Sequence, residues 1–417
     1  MNRFWHPMAD MGLVAERGEL VIDRGEGAYV FDEDGRRYLD ATASLWYCNV
    51  GYGREEIAEA AARQLRKLPV YHAYGDVATR PVLELAERVA SLFPVEGAAV
   101  YFTSGGGEAV DSAIKLARGY WSRVGKPQRT VVIARDRAYH GLNGLGTSLA
   151  GSDVFREGVG PVAGDVEHVA WDSAAALREA IDRLGAERVA AFICEPVIGA
   201  GGVYAVPPEY LVEVQAVCHE TGVLLILDEV ITGFGRLGDW FASNRFGLQP
   251  DLATFAKGIT SGYVQLGGFI ASPRVQEPFW KSGGGGVWRH GYTYSGHTTA
   301  AAAGLANLDV IERDGLVDQV ARLEGELVEA LAPLTEHELV AEIRAGTGLL
   351  AAVQLTDPSA ADRVVAEARG RGILTRGLLG GSLQVSPPFV VTRADLDDLA
   401  TGFQAALDSV AARLAAA

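Results

Sequence analysis

A lysine, Lys257, closes the short apolar run Asp251-Leu-Ala-Thr-Phe-Ala-Lys257-Gly258. Upstream, a second apolar run, Val223-Leu-Leu-Ile-Leu227, ends in Asp228-Glu229. Lysines rarely follow apolar runs into a protein interior unless they are paired or used chemically. There an amine loses hydration, its charged form is disfavoured, and it becomes a nucleophile toward carbonyl carbon. A carboxylate delivered the same way suits a protonated pyridine nitrogen, which is what a pyridoxal phosphate ring requires. The pair points to Schiff-base chemistry.

Four further segments place reactive or ligand-binding residue types beside apolar runs. Phe102-Thr-Ser104-Gly105-Gly106-Gly107-Glu108 lies between a strand pattern and a helix pattern. Its glycines let backbone approach an anion, and the free N–H groups of the helix start point at it, so Ser104, Gly106 and Gly107 are candidates for a phosphate cradle. Tyr139, in Ala138-Tyr139-His140-Gly141, and Glu195, in Cys194-Glu195-Pro196, follow other apolar runs. A packed loop tyrosine or a capping acid would explain either alone; four strand ends carrying Tyr139, Glu195, Asp228 and Lys257 together suit a ligand edge. Arg376, after the apolar Ile373-Leu-Thr, has the fork geometry for a carboxylate, although a surface ion pair needs no more. Gly233-Phe-Gly235-Arg-Leu-Gly238 matches the dinucleotide pattern, but residues 228–232 separate it from the strand that should lead straight into it. His290 and His297 have no carboxylate companion at metal-ligand spacing and read as structural.

These segments need a scaffold. Apolar runs at 98–103, 130–135, 189–194, 223–227, 252–256 and 268–271 have the continuous character of strands covered on both faces. Between them, residues 108–121 and 208–221 carry helical spacing. The alternation predicts an α/β fold with a large domain built on a mostly parallel central sheet. Residues 19–23, 28–32 and 37–40 read as meander strands with a turn at Asp34-Gly35, and the chain after 304 as helices around a strand at 348–354. We expect a small α+β domain made from both termini, with the chain dividing into 1–55, 56–303 and 304–417. The glycine run 283–286 reads as a loop.

Composition narrows the partners. Thirty-seven basic against 53 acidic residues leave a net charge of −16, unsuited to nucleic acid or an anionic membrane. Three cysteines without paired spacing signal neither a disulfide framework nor zinc, no metal is expected, and no run reaches the length of a membrane span. The expectation is a cytoplasmic protein.

Taken together the motifs resemble the class III (subgroup II) aminotransferases, pyridoxal-phosphate enzymes of fold type I, and within them the ω-transaminases of the amine:pyruvate kind. The likeness runs nearly end to end, through Leu45-Trp46-Tyr-Cys-Asn49-Val-Gly51, the glycine loop, Tyr139-His140-Gly141, Asp228-Glu229-Val230, Ala256-Lys257-Gly258, His290-Gly-Tyr292-Thr293, and Arg376 with Pro387-Pro388. The resemblance implies that Lys257 binds the cofactor aldehyde and shuttles a proton, that Asp228 keeps the ring nitrogen protonated, and that Tyr139 and Val230 hold the two ring faces. Gly106 and Gly107 would hold the phosphate, with Tyr292 and Thr293 arriving from a neighbouring subunit, and Glu195 would support Asp228. Trp46 and Tyr74, with Met8, would wall the substrate pocket, and Arg376 would bind the acceptor's carboxylate. It further implies ping-pong transfer, through pyridoxamine phosphate, from a primary amine or ω-amino acid to pyruvate, in a homodimer or tetramer. Decarboxylases, racemases and aminomutases share the scaffold, and a nicotinamide dehydrogenase is the rival of another class. The family loop often reads N-S-G-S-E-A, so Gly107 here lacks a hydroxyl; that implies looser cofactor retention, restored by Gly107→Ser.

Overall fold

Each of the six apolar runs forms a strand, and the reason they are apolar throughout is visible in what covers them. The computed structural model describes residues 3–281 and 286–416. In the large sheet we number the strands β1 (Ala99–Thr103), β2 (Val131–Arg135), β3 (Val166–Val169), β4 (Val189–Cys194), β5 (Leu224–Asp228), β6 (Leu252–Phe255) and β7 (Gly267–Ala271). Their spatial order is β1-β7-β6-β5-β4-β2-β3. Only β7 runs against its neighbours β6 and β1; the other pairings are parallel.

Alternate residues of the central strands go to opposite faces. Ile133, Phe192, Cys194, Leu225 and Leu227 pack with Leu177, Ile181, Leu211 and Val214 of the helices Ala174–Leu184 and Pro208–Thr221. Val132, Ala134, Ile193, Leu224 and Ile226 pack with Val110, Ile114 and Ala117 of the helix Gly106–Arg123. Both faces are dry, so both must be apolar. The edge strand β3, half-buried with the sequence Val-Glu-His-Val, has no such run and escaped the sequence reading.

The two chain ends meet in one four-stranded sheet. Ile22–Glu26, Tyr29–Asp32 and Arg37–Asp40 form an antiparallel meander, and Ile373–Leu374 adds to it in parallel, Ile373 opposite Leu39. A second sheet joins Val340–Arg344, Ala351–Leu355 and Ser382–Val385. The helix Thr298–Arg313 carries the chain across the junction expected at 303–304. One hydrophobic cluster runs from Phe102, Phe234 and Phe255 to Phe389, Phe403 and Leu407, so the terminal segments and the large sheet share a core. The glycine run 283–286, expected as a loop, lies outside the described residues except for Gly286. Among the described residues no helix is long and apolar enough to cross a membrane, and no cluster of side chains is suited to a metal.

Candidate active site

Parallel strands deliver their carboxyl ends to one edge, and that edge opens into a cavity of about 410 Å3. Its walls carry Ser104, Gly106 and Gly107 beyond β1, Tyr139 and His140 beyond β2, Glu195 beyond β4, Asp228 and Val230 at the end of β5, and Lys257 beyond β6. Residues spread over more than a third of the chain are thus gathered by strand order alone.

Lys257 stands in a left-handed conformation, φ +49°. Such backbone is costly for a residue with a side chain and persists only where the surroundings enforce it. Here Asn307 Nδ2 donates to the carbonyls of Gly258 and Ile259 at 2.8 and 3.0 Å. Asn49 Nδ2 lies only 2.6 Å from where a Cβ on Gly258 would stand, leaving that residue no room to move. The amine makes no hydrogen bond or ion pair among the described residues. Burial pushes its pKa down to about 8; the carboxylates of Asp228 and Glu195 oppose the fall, and Arg376 adds to it.

Asp228 is nearly enclosed and surrounded by donors. His140 Nδ1–H donates to Oδ2 at 2.7 Å, and Oδ1 accepts from Thr254 Oγ1 at 3.0 Å and from the Val230 N–H at 3.1 Å. Both carboxylate oxygens are thus engaged, which fixes the side chain's orientation. No spacing rule links His140 to Asp228, 88 residues apart in the chain. Glu195 bridges two loops, accepting from the Tyr139 N–H at 3.0 Å and the Gly199 N–H at 2.9 Å. Burial pushes its pKa up, with His140 pulling the other way. The Tyr139 ring is set edge-on to Phe155 at 5.2 Å.

The glycine loop is as tight as its composition suggests. A Cβ on Gly106 would come within 2.8 Å of Val230 Cγ1, and one on Gly267 within 2.7 Å of the Gly105 backbone. The first backbone bond of the helix Gly106–Arg123 is from Ala109 N–H to Gly105 O at 3.0 Å. The N–H groups of Gly106, Gly107 and Glu108 precede it and are left for an anion. An enclosed carboxylate, an unpaired lysine and a run of free N–H groups share one cavity.

The model of aminotransferase class-III matches residues 14–407. The chain belongs to the class-III aminotransferases.

The putrescine–pyruvate aminotransferase of Pseudomonas aeruginosa is 38% identical over 440 residues, covering 98% of this chain and 95% of its own. Among solved structures, an (S)-enantioselective omega-transaminase from Thermomicrobium roseum superposes with a TM-score of 0.94 at 39% identity, over 97% of this chain and 96% of that one. An amine transaminase from an uncultivated Pseudomonas species, in its pyridoxal-phosphate-bound form, gives 0.93 at 36% identity, over 98% and 99%. This aminotransferase is therefore a fold type I enzyme that uses pyridoxal phosphate to pass an amino group from an amine donor to a keto acid acceptor. The cavity fits that cofactor: the glycine cradle has unpaired N–H groups for its phosphate, and Lys257 is unpaired.

Other expected site residues lie elsewhere in the single chain. Trp46 is 2% exposed and packs among Val197, Val203, Ile231 and Leu350, behind the cavity wall. Tyr47 takes the wall position instead, its ring filling the space a Cβ on Gly262 would need. The cause is a turn with positive φ at Ala43, Ser44 and Trp46, pinned by Asp40, which accepts from Thr42 N at 2.9 Å and Ser44 N at 2.5 Å. Arg376 sits just beyond the wall, its guanidinium 6.0 Å from the Trp46 ring centre. Tyr74 is 50% and Met8 80% exposed, Thr293 is exposed, and Tyr292 is half-buried; none lines this chain's cavity. The Gly233–Gly238 segment packs internally, Gly235 against Phe389 and the buried Arg236 onto Asn49 Oδ1 at 2.6 Å. His297 Nδ1 faces the first turn of the helix Thr298–Arg313, and His290 bridges Ser112 and Lys115.

Proposed function

We propose that this aminotransferase takes the amino group of a primary amine or ω-amino acid and delivers it to pyruvate, in ping-pong turnover. The carrying observation is the charge on the cavity. Lys257 is the one lysine or arginine among the described residues of the wall, and Arg376 is a single further cation at its edge. One arginine suits one carboxylate, that of the acceptor, while Tyr47, Val230, Ile231, Val264 and Leu266 offer the donor an apolar wall. The names of the relatives described above support the same pairing.

When bound, pyridoxal phosphate supplies an aldehyde for the donor nitrogen and an electron-withdrawing ring that acidifies the neighbouring carbon. The chain does the rest. Lys257 Nζ, held partly unprotonated by burial, would take the proton from the donor carbon bearing the nitrogen and deliver it to the carbon of the cofactor's aldehyde group. Asp228 would hold a proton on the ring nitrogen, with His140 and Thr254 keeping its carboxylate aimed. Tyr139 and Val230 would confine the ring from its two sides, and the Gly106 and Gly107 N–H groups would anchor the phosphate. Glu195 ties the Tyr139 loop to the Gly199 loop, so the ring's stacking partner keeps its place.

The working unit in this reading is a homodimer, acting in the cytoplasm. Phe4, Trp5, Met8 and Trp280 are exposed, and the helix Met11–Arg17 buries none of its residues, as expected of surfaces covered by a second copy. Tyr292 and Thr293 would then complete a neighbour's phosphate cup.

A half-reaction tests the substrate pair. Putrescine or S-1-phenylethylamine alone should bleach the yellow holoenzyme, and pyruvate should restore the colour with alanine released. A colour untouched by such amines, or restored by 2-oxoglutarate but not by pyruvate, would refute the proposal.

A further inference from the structure

Gln384 is a fully buried polar residue in Ser382–Val385, a strand buried along its whole length. Buried amides persist where every polar atom is satisfied, and here each partner is identifiable. Its Nε2 donates to Ser386 Oγ at 2.6 Å and toward the Thr42 carbonyl at 3.5 Å. With both amide hydrogens committed, Oε1 must face the remaining donor, and it accepts from Arg376 Nε at 2.6 Å. The two backbones are also joined, Gln384 N–H donating to Arg376 O at 3.0 Å. A flipped amide would set N–H against N–H, so the network has one orientation.

The consequence falls on the arginine. Gln384 engages only Nε, the inner nitrogen of the guanidinium. The two terminal nitrogens, which form the fork that grips a carboxylate, have no protein partner among the described residues. Its positive charge acts to lower the pKa of both Lys257 and Tyr139, two residues of the cavity wall. The Trp46 ring limits its movement from one side.

We propose that Gln384 is the positioning residue that presents the Arg376 fork to the acceptor, and thereby sets the preference for a keto acid over an acceptor without a carboxylate. The proposal rests on the amine:pyruvate reading of the site, and the test separates the two.

Holoenzyme with one amine donor is assayed against pyruvate and against butanal, an acceptor with nothing for Arg376 to grip. Gln384→Met, which keeps length but removes the acceptor oxygen, should lower kcat/KM for pyruvate about tenfold, chiefly through KM. The butanal value and the rate of bleaching by donor should stay put; a general loss of structure would move all three. If Gln384→Met does not fold, Gln384→Glu keeps the shape and places a carboxylate on the guanidinium, and pyruvate should again suffer selectively by competition. Arg376→Ala is the control. If it lowers the pyruvate-to-butanal ratio while the Gln384 variants leave the ratio unchanged, the role of Gln384 is overturned and the acceptor reading stands. If Arg376→Ala also leaves the ratio unchanged, both are overturned.

Discussion

Replacing Lys257 by methionine should make the apoprotein more stable at neutral pH, although it removes the residue to which the proposed mechanism assigns the proton transfer. Folding draws the amine's pKa from 10.5 to about 8, mainly because burial disfavours its charge. Between those values the unfolded chain binds more protons than the native one, so native stability rises with pH across the window. Below about pH 8 the penalty is present in full; it fades as pH climbs toward the unfolded value. At about 1.4 kcal/mol per pKa unit the penalty has a ceiling of about 3–4 kcal/mol. The amine faces a cavity that water can enter, which softens the field, so a gain of about 1–3 kcal/mol is expected for Lys257→Met at pH 7. Denaturant unfolding of both apoproteins at matched concentration and ionic strength, at pH 7 and pH 10, measures it. The gain should be clear at pH 7 and shrink to about a quarter of that at pH 10. A methionine variant no more stable than its parent at pH 7, or a difference that does not shrink with pH, would refute this account of the lysine. The same shift has a kinetic face: only the neutral amine attacks an aldehyde, so uptake of pyridoxal phosphate by the parent apoprotein should quicken with pH and level off above about 8.

Gly107→Ser, expected from the sequence to tighten cofactor binding, meets an obstacle: a Cβ there would stand 3.2 Å from Asn143 Oδ1 and 3.3 Å from its Cγ. The single variant should leave the dissociation constant for pyridoxal phosphate nearly unchanged, and the same change in an Asn143→Ala background should tighten it by about three- to tenfold; equal tightening in both, by spectroscopic titration of apoprotein, would show that Asn143 is no barrier. Glu229, next to Asp228, accepts from Ala242 N at 2.6 Å, Ser243 N at 2.8 Å, Ser243 Oγ at 2.6 Å and Thr232 Oγ1 at 3.0 Å. Gln in its place must turn an NH2 toward two of those donors, and Glu229→Gln should lose about 2–4 kcal/mol of stability, read from the denaturation midpoint; a midpoint within error of the parent would show that the network relaxes.

The reactive set was legible because its members follow apolar runs. Period and composition mark residues 223–227 and 252–256 as strands, and the residues that come next, Asp228 and Lys257, are then at a sheet edge whatever the details of packing. The glycine loop is legible for a similar reason: Gly106 and Gly107 sit between a strand pattern and a helix pattern, and backbone chemistry there is local. Local rules stop where partners come from distant chain. His140 reaches Asp228 across 88 residues, and Gln384 reaches the Thr42 carbonyl across 342. Neither pairing has a periodicity, since strand order and the meeting of the chain ends create it. Trp46 and Tyr47 are the sharpest case. Both are aromatic and adjacent, and which one lines the cavity depends on positive φ values at Ala43, Ser44 and Trp46 that the Asp40 carboxylate holds in place. Residue type and spacing specified the chemistry, because nucleophile, acid partner and anion cradle are properties of short segments. Orientation, protonation and the choice between neighbours came from tertiary contacts, because desolvation and hydrogen-bond geometry exist only once distant segments pack together.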